Sequence, residues 1–159
     1  MQRLILMRHG EAEAGSPTGG DFDRKLTVAG QRQSIATAQT LCDMGVSPDH
    51  ALVSSAARTQ ATWARLQPLW PDATATVTKV LYLAEPDQIW ETIKAEGADT
   101  LMVIGHNPGL QEVAVSLLQR CGGPDSGLRQ VQSGLPTAAA VVFLFDASGE
   151  PHCDGVFFP

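Results

Sequence analysis

Short apolar runs alternate along the chain with segments in which apolar residues recur every three or four positions. The runs predict strands at 4–7, 51–53, 74–80 and 101–104. Continuous apolar runs are typical of parallel strands that are buried on both faces. Two later runs, 138–145 and 156–158, predict a final hairpin with its turn at 146–150.

Four segments between these runs have helical periodicity. Thr27 can cap the first helix, which we expect to bury Ile35, Ala38, Leu41 and Cys42. The second is predicted over 57–69, and Ile89, Trp90 and Ile93 predict a third after Pro86. The fourth carries an apolar stripe formed by Leu110, Val113, Ala114, Leu117 and Leu118.

The region 121–134 is rich in Gly, Ser and Pro and predicts a loop. No internal repeat or linker interrupts the alternation of strands and helices. The pattern predicts one domain spanning residues 1–159. We expect a three-layer α/β/α sandwich around a mostly parallel central sheet.

Composition and charge narrow the classes of partner. The formal net charge is -6 over 159 residues, which disfavours nucleic acid because backbone binding needs many Lys and Arg residues. The three cysteines are odd in number and include no Cys-x-x-Cys pair, so a disulfide framework is not expected. The N-terminal apolar run is too short for a signal peptide, and no run has transmembrane length. We therefore expect a cytoplasmic protein without a membrane partner.

Three polar motifs follow predicted strands. They are Arg8-His9-Gly10, the segment from Ser54 to Thr59 that contains Arg58, and Gly105-His106-Asn107-Pro108-Gly109. In open α/β sheets, ligands bind beyond the carboxyl ends of parallel strands. The two histidines and two arginines of these motifs are therefore expected to meet at one edge of the sheet.

Phosphoryl transfer is the chemistry that this group favours. The guanidinium groups of Arg8 and Arg58 match phosphate oxygens and can stabilise the charge of the moving phosphoryl group. His9 is the candidate nucleophile, because a neutral imidazole can carry the group as phosphohistidine. A backbone carbonyl is expected to hold its other ring nitrogen. Gly10, without a side chain, is expected to allow phosphate to approach the backbone.

The motif around His106 predicts an anion site at a helix N-terminus. Asn107 is a candidate N-cap with Pro108 at the first helical position, and the free N–H groups there favour an anion. His106 and Asn107 are thus further candidate phosphate ligands. By the same reasoning, Ser54 or Ser55 is expected to cap the helix that carries Arg58.

Together, these motifs resemble the histidine phosphatase superfamily, also called the phosphoglycerate-mutase-like family. The segment Asp23-Arg24-Lys25-Leu26-Thr27-x-x-Gly30 and the ending Pro136-Thr137-Ala138 resemble its SixA-like branch of phosphohistidine phosphatases, although Lys25 stands where that branch usually has proline. The resemblance implies a phosphoglycerate-mutase-like fold and a phosphohistidine intermediate. It assigns the nucleophile to His9 and phosphate binding to Arg8, Arg58 and His106.

The proton donor is not fixed by the sequence. Glu85 and Asp23 are candidates, with Asp21 as a further alternative, but a leaving imidazole depends less on a general acid than an alkoxide does. We therefore expect a phosphatase for phosphohistidine on a protein. A phosphatase of small phosphate monoesters is the alternative, and a non-catalytic phosphate-binding module is a third hypothesis. The mechanism requires no metal and no cofactor.

Overall fold

The computed structural model describes residues 1–122 and 126–159 of the chain. Strands and helices alternate along most of it. The strands are β1 (Arg3–Arg8), β2 (His50–Ser54), β3 (Thr74–Thr78), β4 (Thr100–Gly105), β5 (Ala140–Phe145) and β6 (Pro151–Phe157). The helices are α1 (Val28–Asp43), α2 (Ala57–Leu66), α3 (Pro86–Lys94), α4 (Gly109–Arg120) and α5 (Ser126–Ser133).

The six strands form one sheet in the order β3-β2-β4-β1-β5-β6. β1, β2, β3 and β4 pair in parallel, whereas β5 is antiparallel to both β1 and β6. Arg8 lies opposite Gly105 in the β1–β4 register, and Val53 lies opposite Ile104 in the β2–β4 register. The carboxyl ends of these three strands therefore meet at one edge of the sheet.

The side chains of β1 alternate between two hydrophobic clusters. Leu4 and Leu6 pack in the cluster that contains residues of α3 and α4, and Ile5 and Met7 pack in the cluster that contains residues of α1 and α2. Helices therefore cover both faces of the sheet, which confirms the three-layer sandwich and the mostly parallel sheet. In the described part of the chain, no helix combines the length and apolar character needed to cross a membrane.

The loop predicted at 121–134 is wrong for residues 126–133, which form α5; residues 123–125 lie outside the described residues. Val131 is fully buried, and Leu128 packs against the same hydrophobic cluster. The backbone carbonyl of Val131 also accepts a hydrogen bond from the Gln111 side chain at 2.9 Å. Packing against α4 therefore outweighs the local composition, which favours a loop.

The first helix has the predicted cap, since the Thr27 hydroxyl accepts a hydrogen bond from the Gly30 N–H at 2.9 Å. The buried face differs from the expected one, because Ile35 is exposed while Ser34 and Thr37 are buried beside Ala38. Small side chains fit this face because the helix runs close to the segment after β1, where the Ser34 hydroxyl lies beside Gly10.

Candidate active site

The three sequence motifs converge on one pocket at the carboxyl edge of the sheet. His9 follows β1, Arg58 lies in the first turn of α2, and His106 follows β4. These side chains are only 6%, 2% and 3% exposed, respectively. The two imidazole rings lie 5.2 Å apart, centroid to centroid. Buried polar groups of this kind need specific partners, and each of the three has them.

The ring of His9 is held in one tautomer. Its Nδ1–H donates to the backbone carbonyl of Gly10 at 2.7 Å, so the lone pair lies on Nε2. Burial, with a further contribution from Arg58, lowers the pKa of His9 to about 4. The imidazole is therefore neutral at ordinary pH, and its basic nitrogen is the one that faces Arg58.

The guanidinium of Arg58 connects the groups of the pocket. Its Nε donates to Nε2 of His9 at 3.1 Å, and its Nη2 donates to Nδ1 of His106 at 3.2 Å. The remaining contacts are to Asp21: Nη1 donates to the backbone carbonyl at 2.7 Å and Nη2 to the carboxylate at 3.0 Å. One planar cation therefore orients two imidazoles and one carboxylate.

His106 is oriented by the last residue of β2. Because Nδ1 accepts from Arg58, Nε2–H donates to the fully buried hydroxyl of Ser54 at 2.7 Å. Burial and the neighbouring His9 lower the pKa of His106 to about 3, so its ring is neutral. The prediction that Ser54 or Ser55 caps α2 is wrong. Ala56 occupies the N-cap position without a side-chain hydrogen bond.

Arg8 lines the same pocket. Its Nη1 donates to the backbone carbonyl of Leu135 at 2.9 Å. Burial and the charge of Arg58 lower its pKa from the usual range of arginine. A second guanidinium thus lines the pocket beside His9, as expected from the sequence.

The structure corrects the expectation that Asn107 caps the following helix. The N-cap position is Pro108, and α4 begins at Gly109. The Asn107 side chain instead donates its two amide hydrogens to Gln111 at 3.1 Å and to the carbonyl of Leu135 at 2.9 Å. Asn107 lines the pocket, but in this arrangement its amide has no donor left for phosphate.

Gly10 has a different role from the expected one. A Cβ at this position would lie 2.5 Å from the backbone oxygen of Gly30 and 2.5 Å from the hydroxyl of Ser34. Gly10 is also absent from the residues that line the pocket. The glycine is therefore required by the close approach of α1, and no phosphate contact is needed to explain it.

Asp21 was only an alternative in the sequence reasoning, yet its carboxylate lies in the pocket. Oδ1 accepts from Nε of Arg24 at 2.9 Å, and Oδ2 accepts from Arg58 at 3.0 Å and from the hydroxyl of Tyr82 at 2.7 Å. The hydroxyl of Tyr82 and the two guanidiniums lower the pKa of Asp21 to about 2. This group is a stable anion at ordinary pH.

Tyr82 was missed by the sequence reasoning. Its ring also meets the ring of His106 edge-on, with centroids 5.5 Å apart. It is the single tyrosine of the chain, but no local sequence pattern predicts its contact with Asp21, which lies 61 positions away. Only the folded structure could identify it.

The pocket has a volume of about 310 Å³ and is lined by Arg8, His9, Glu11, Ala12, Asp21, Arg24, Arg58, Leu83, His106, Asn107 and Thr137. Neither Glu85 nor Asp23 is among these residues. Glu85 is exposed at the start of α3, and the carboxylate of Asp23 accepts a hydrogen bond from Thr18 at 2.7 Å. The geometry thus gives no support to either residue as a proton donor.

The arrangement suits transfer of a tetrahedral anion. It offers a neutral imidazole nitrogen as nucleophile and two guanidiniums as phosphate ligands. Among residues 1–122 and 126–159, no three His, Cys, Asp or Glu side chains are grouped as metal ligands. Imidazole, guanidinium and carboxylate groups line the pocket.

Comparison with known proteins places the chain among phosphatases. Residues 4–85 match the family model of the histidine phosphatase superfamily (branch 1). An uncharacterised protein of Mycobacterium tuberculosis strain H37Rv is 30% identical over 153 residues, which cover 92% of this chain and 94% of that protein.

Two solved structures are similar over nearly their whole length. The "putative phosphohistidine phosphatase SixA" of Agrobacterium tumefaciens has a TM-score of 0.87 and 26% identity, covering 99% of this chain and 98% of its own. The corresponding protein of Nakamurella multipartitia, described in the same words, has a TM-score of 0.81 and 28% identity, with coverages of 99% and 96%.

Proposed function

The chain belongs to the histidine phosphatase superfamily, and we propose that this phosphatase removes phosphate from phosphohistidine displayed on a protein. The observation that carries the proposal is the state of His9. Its Nδ1–H is fixed on the Gly10 carbonyl at 2.7 Å, so the unprotonated Nε2 is directed at Arg58 within a pocket lined by guanidiniums. A nucleophile needs this unprotonated nitrogen, and phosphate needs those cations.

The proposed reaction has two displacements at phosphorus. The lone pair of His9 Nε2 forms a bond to phosphorus as the bond to the substrate nitrogen breaks, and that nitrogen keeps the electron pair. Arg8 and Arg58 hold the phosphoryl oxygens and stabilise their charge in the transition state. Water then attacks phosphorus, the phosphate departs with both protons of that water and releases one to solvent, and the electron pair of the second broken bond returns to Nε2 of His9.

The acidic groups of the pocket support the proposed substrate class. Esters release an alkoxide, which benefits strongly from a general acid. The carboxylate of the pocket that contacts Arg58 belongs to Asp21, whose pKa of about 2 keeps it deprotonated. The other carboxylate that lines the pocket, Glu11, accepts a hydrogen bond from the Thr27 hydroxyl at 2.8 Å. A leaving imidazole depends less on a general acid than an alkoxide does.

The pocket is also accessible from outside. Two of the residues that line it are exposed, Leu83 (52%) and Glu11. An open rim is compatible with a phosphohistidine side chain that is presented on a protein surface. We further propose a cytoplasmic location, which agrees with the three free cysteines of the described residues.

Turnover of a defined substrate panel tests the proposal. Wild type and His9→Ala are compared on a phosphohistidine protein and on several phosphate monoesters, with released phosphate as the readout. We expect the wild type to favour the phosphohistidine protein and the variant to lose turnover. Preference for a monoester would instead support the ester phosphatase. Binding of phosphate compounds without turnover by wild type would support a non-catalytic module.

A further inference from the structure

We propose that Asp21 is a specificity-determining residue, whose carboxylate favours a protonated imidazole as the leaving group over the oxygen leaving group of an ester. This inference rests on the proposed function and extends it. It assigns the discrimination between phosphohistidine and phosphate esters to one side chain at the mouth of the pocket.

Asp21 lies nearer the opening of the pocket than His9 does. His9 lies on the floor and is 6% exposed, whereas the side chain of Asp21 is 46% exposed and lines the same pocket. A displacement at phosphorus puts the leaving group in line with the nucleophile and on the opposite side. Because His9 is the buried residue of the pair, we infer that this opposite side is the open mouth, where Asp21 lies.

The carboxylate has an acceptor position to offer. A carboxylate has about four acceptor sites on its two oxygens. Arg58 and Tyr82 donate to Oδ2, and Arg24 donates to Oδ1. One site on Oδ1 therefore remains for an N–H of the substrate. The 3₁₀ turn Asp21–Asp23 and the two guanidiniums fix the direction of this oxygen.

The chemistry of phosphohistidine explains why a carboxylate here is selective. When the ring nitrogen that does not carry phosphorus is protonated, the imidazole is cationic. The bond between phosphorus and nitrogen then breaks with its electron pair moving to the nitrogen, and the ring leaves as neutral imidazole. No proton has to be delivered during this step. An anion that accepts the ring N–H stabilises this protonated form.

An ester places the opposite demand on the same position. Its leaving oxygen gains negative charge as the bond to phosphorus breaks, and a nearby carboxylate repels that charge. The stable ionisation of Asp21, with a pKa of about 2, also prevents it from donating a proton. The same side chain therefore assists one class of leaving group and opposes the other.

A merely structural role for Asp21 makes a different prediction. Its contacts with Arg58 could serve only to orient that guanidinium. Loss of orientation would weaken phosphate binding for every substrate by a similar factor. A change in the ratio between two substrates is therefore the informative quantity.

The test uses 1-phosphoimidazole and p-nitrophenyl phosphate, whose leaving groups are both small rings but of which only imidazole can be protonated. The kcat/KM of each is measured for wild type, Asp21→Asn and Asp23→Asn. Asparagine keeps an oxygen that can accept from Arg58 but removes the charge. Asp23 is the matched control, because it belongs to the same 3₁₀ turn and does not line the pocket.

We expect Asp21→Asn to lower kcat/KM for 1-phosphoimidazole by about 10- to 100-fold, as for loss of a hydrogen bond to a charged group. The value for p-nitrophenyl phosphate is expected to stay constant or rise, and Asp23→Asn is expected to behave as wild type. Equal losses on both substrates, or a change in their ratio caused by Asp23→Asn, would overturn the inference while leaving the proposed function intact. Absence of 1-phosphoimidazole turnover by wild type would also overturn the inference, whereas absence of turnover of a phosphohistidine protein would overturn the proposed function.

Discussion

Substitution of Ser54 by alanine removes one buried hydrogen bond of the site and leaves its other groups in place. The Ser54 hydroxyl is fully buried and accepts from Nε2–H of His106 at 2.7 Å. Alanine removes the acceptor and leaves that N–H inside the protein without a partner. A buried donor without a partner costs about 1–3 kcal/mol, and in a chain of this size each kcal/mol lowers Tm by about 2–4 °C.

The neighbouring serine provides a matched control. The Ser55 hydroxyl is also buried but has no hydrogen-bond partner among the described residues. Ser55→Ala is therefore expected to leave stability unchanged or to raise it slightly, since an unsatisfied polar atom is removed. The free energy of unfolding is measured by urea denaturation for both variants and for wild type.

Catalytic activity should also distinguish Ser54→Ala from Ser55→Ala. Without Ser54 the ring of His106 can turn away from Arg58, and a displacement of about 1 Å in such a site can cost about 100-fold in rate. We expect kcat/KM on a phosphohistidine substrate to fall for Ser54→Ala and to be retained by Ser55→Ala. Equal stability and equal kcat/KM in the two variants would refute the role assigned to the Ser54–His106 hydrogen bond.

Three further predictions concern Gly10, Arg58 and His9. Gly10→Ala is expected to lower the free energy of unfolding, measured by urea denaturation, by about 1–3 kcal/mol through overpacking against Gly30. The control Gly97→Ala, which has no atom within 4 Å of its new Cβ, should lower it much less. Equal losses of stability would contradict the close approach of α1 to Gly10. Arg58→Lys should keep the positive charge but lose the planar guanidinium that reaches both imidazoles. The kcat/KM on a phosphohistidine substrate should therefore fall by about 100- to 1000-fold. Near-normal turnover would contradict the role assigned to the guanidinium. The pKa of His9 is lowered to about 4, so the ring is neutral above that pH. Its Cε1–H resonance in NMR, identified by its absence from His9→Ala, should therefore titrate near pH 4. A midpoint near 6.5, the ordinary pKa of histidine, would contradict the conclusion that burial lowers this pKa.

The sheet and the convergence of the three motifs could be predicted from the sequence because they follow from local patterns. Apolar runs such as 101–104 specify buried strands, and polar residues directly after parallel strands are brought to one edge by topology. The tautomer of His9 was also predictable, since the adjacent Gly10 carbonyl is a local partner.

The features that the sequence did not reveal depend on contacts between distant segments. The buried side of α1 contains Ser34 because that helix approaches Gly10, and α5 forms because Val131 is buried in the core. The contact of Tyr82 with Asp21 spans 61 positions. Periodicity and composition report on local structure, so none of these contacts has a signal in the pattern.

The role proposed for Asp21 also depends on contacts between segments that are distant in sequence. In sequence it is one of several acidic residues in a loop rich in glycine, and such residues are commonly turn formers. Its significance depends on two arginines and a tyrosine that meet around one carboxylate in the fold. Candidate acids therefore could be listed from the sequence but not ranked.

Identification of the phosphorylated side chain in the enzyme during turnover tests the central claim most directly. Wild-type protein is mixed with a phosphohistidine substrate that carries labelled phosphate, quenched in alkali and digested, and the labelled peptide is sequenced. The account predicts an acid-labile, alkali-stable label on His9. A label on any other residue would contradict it.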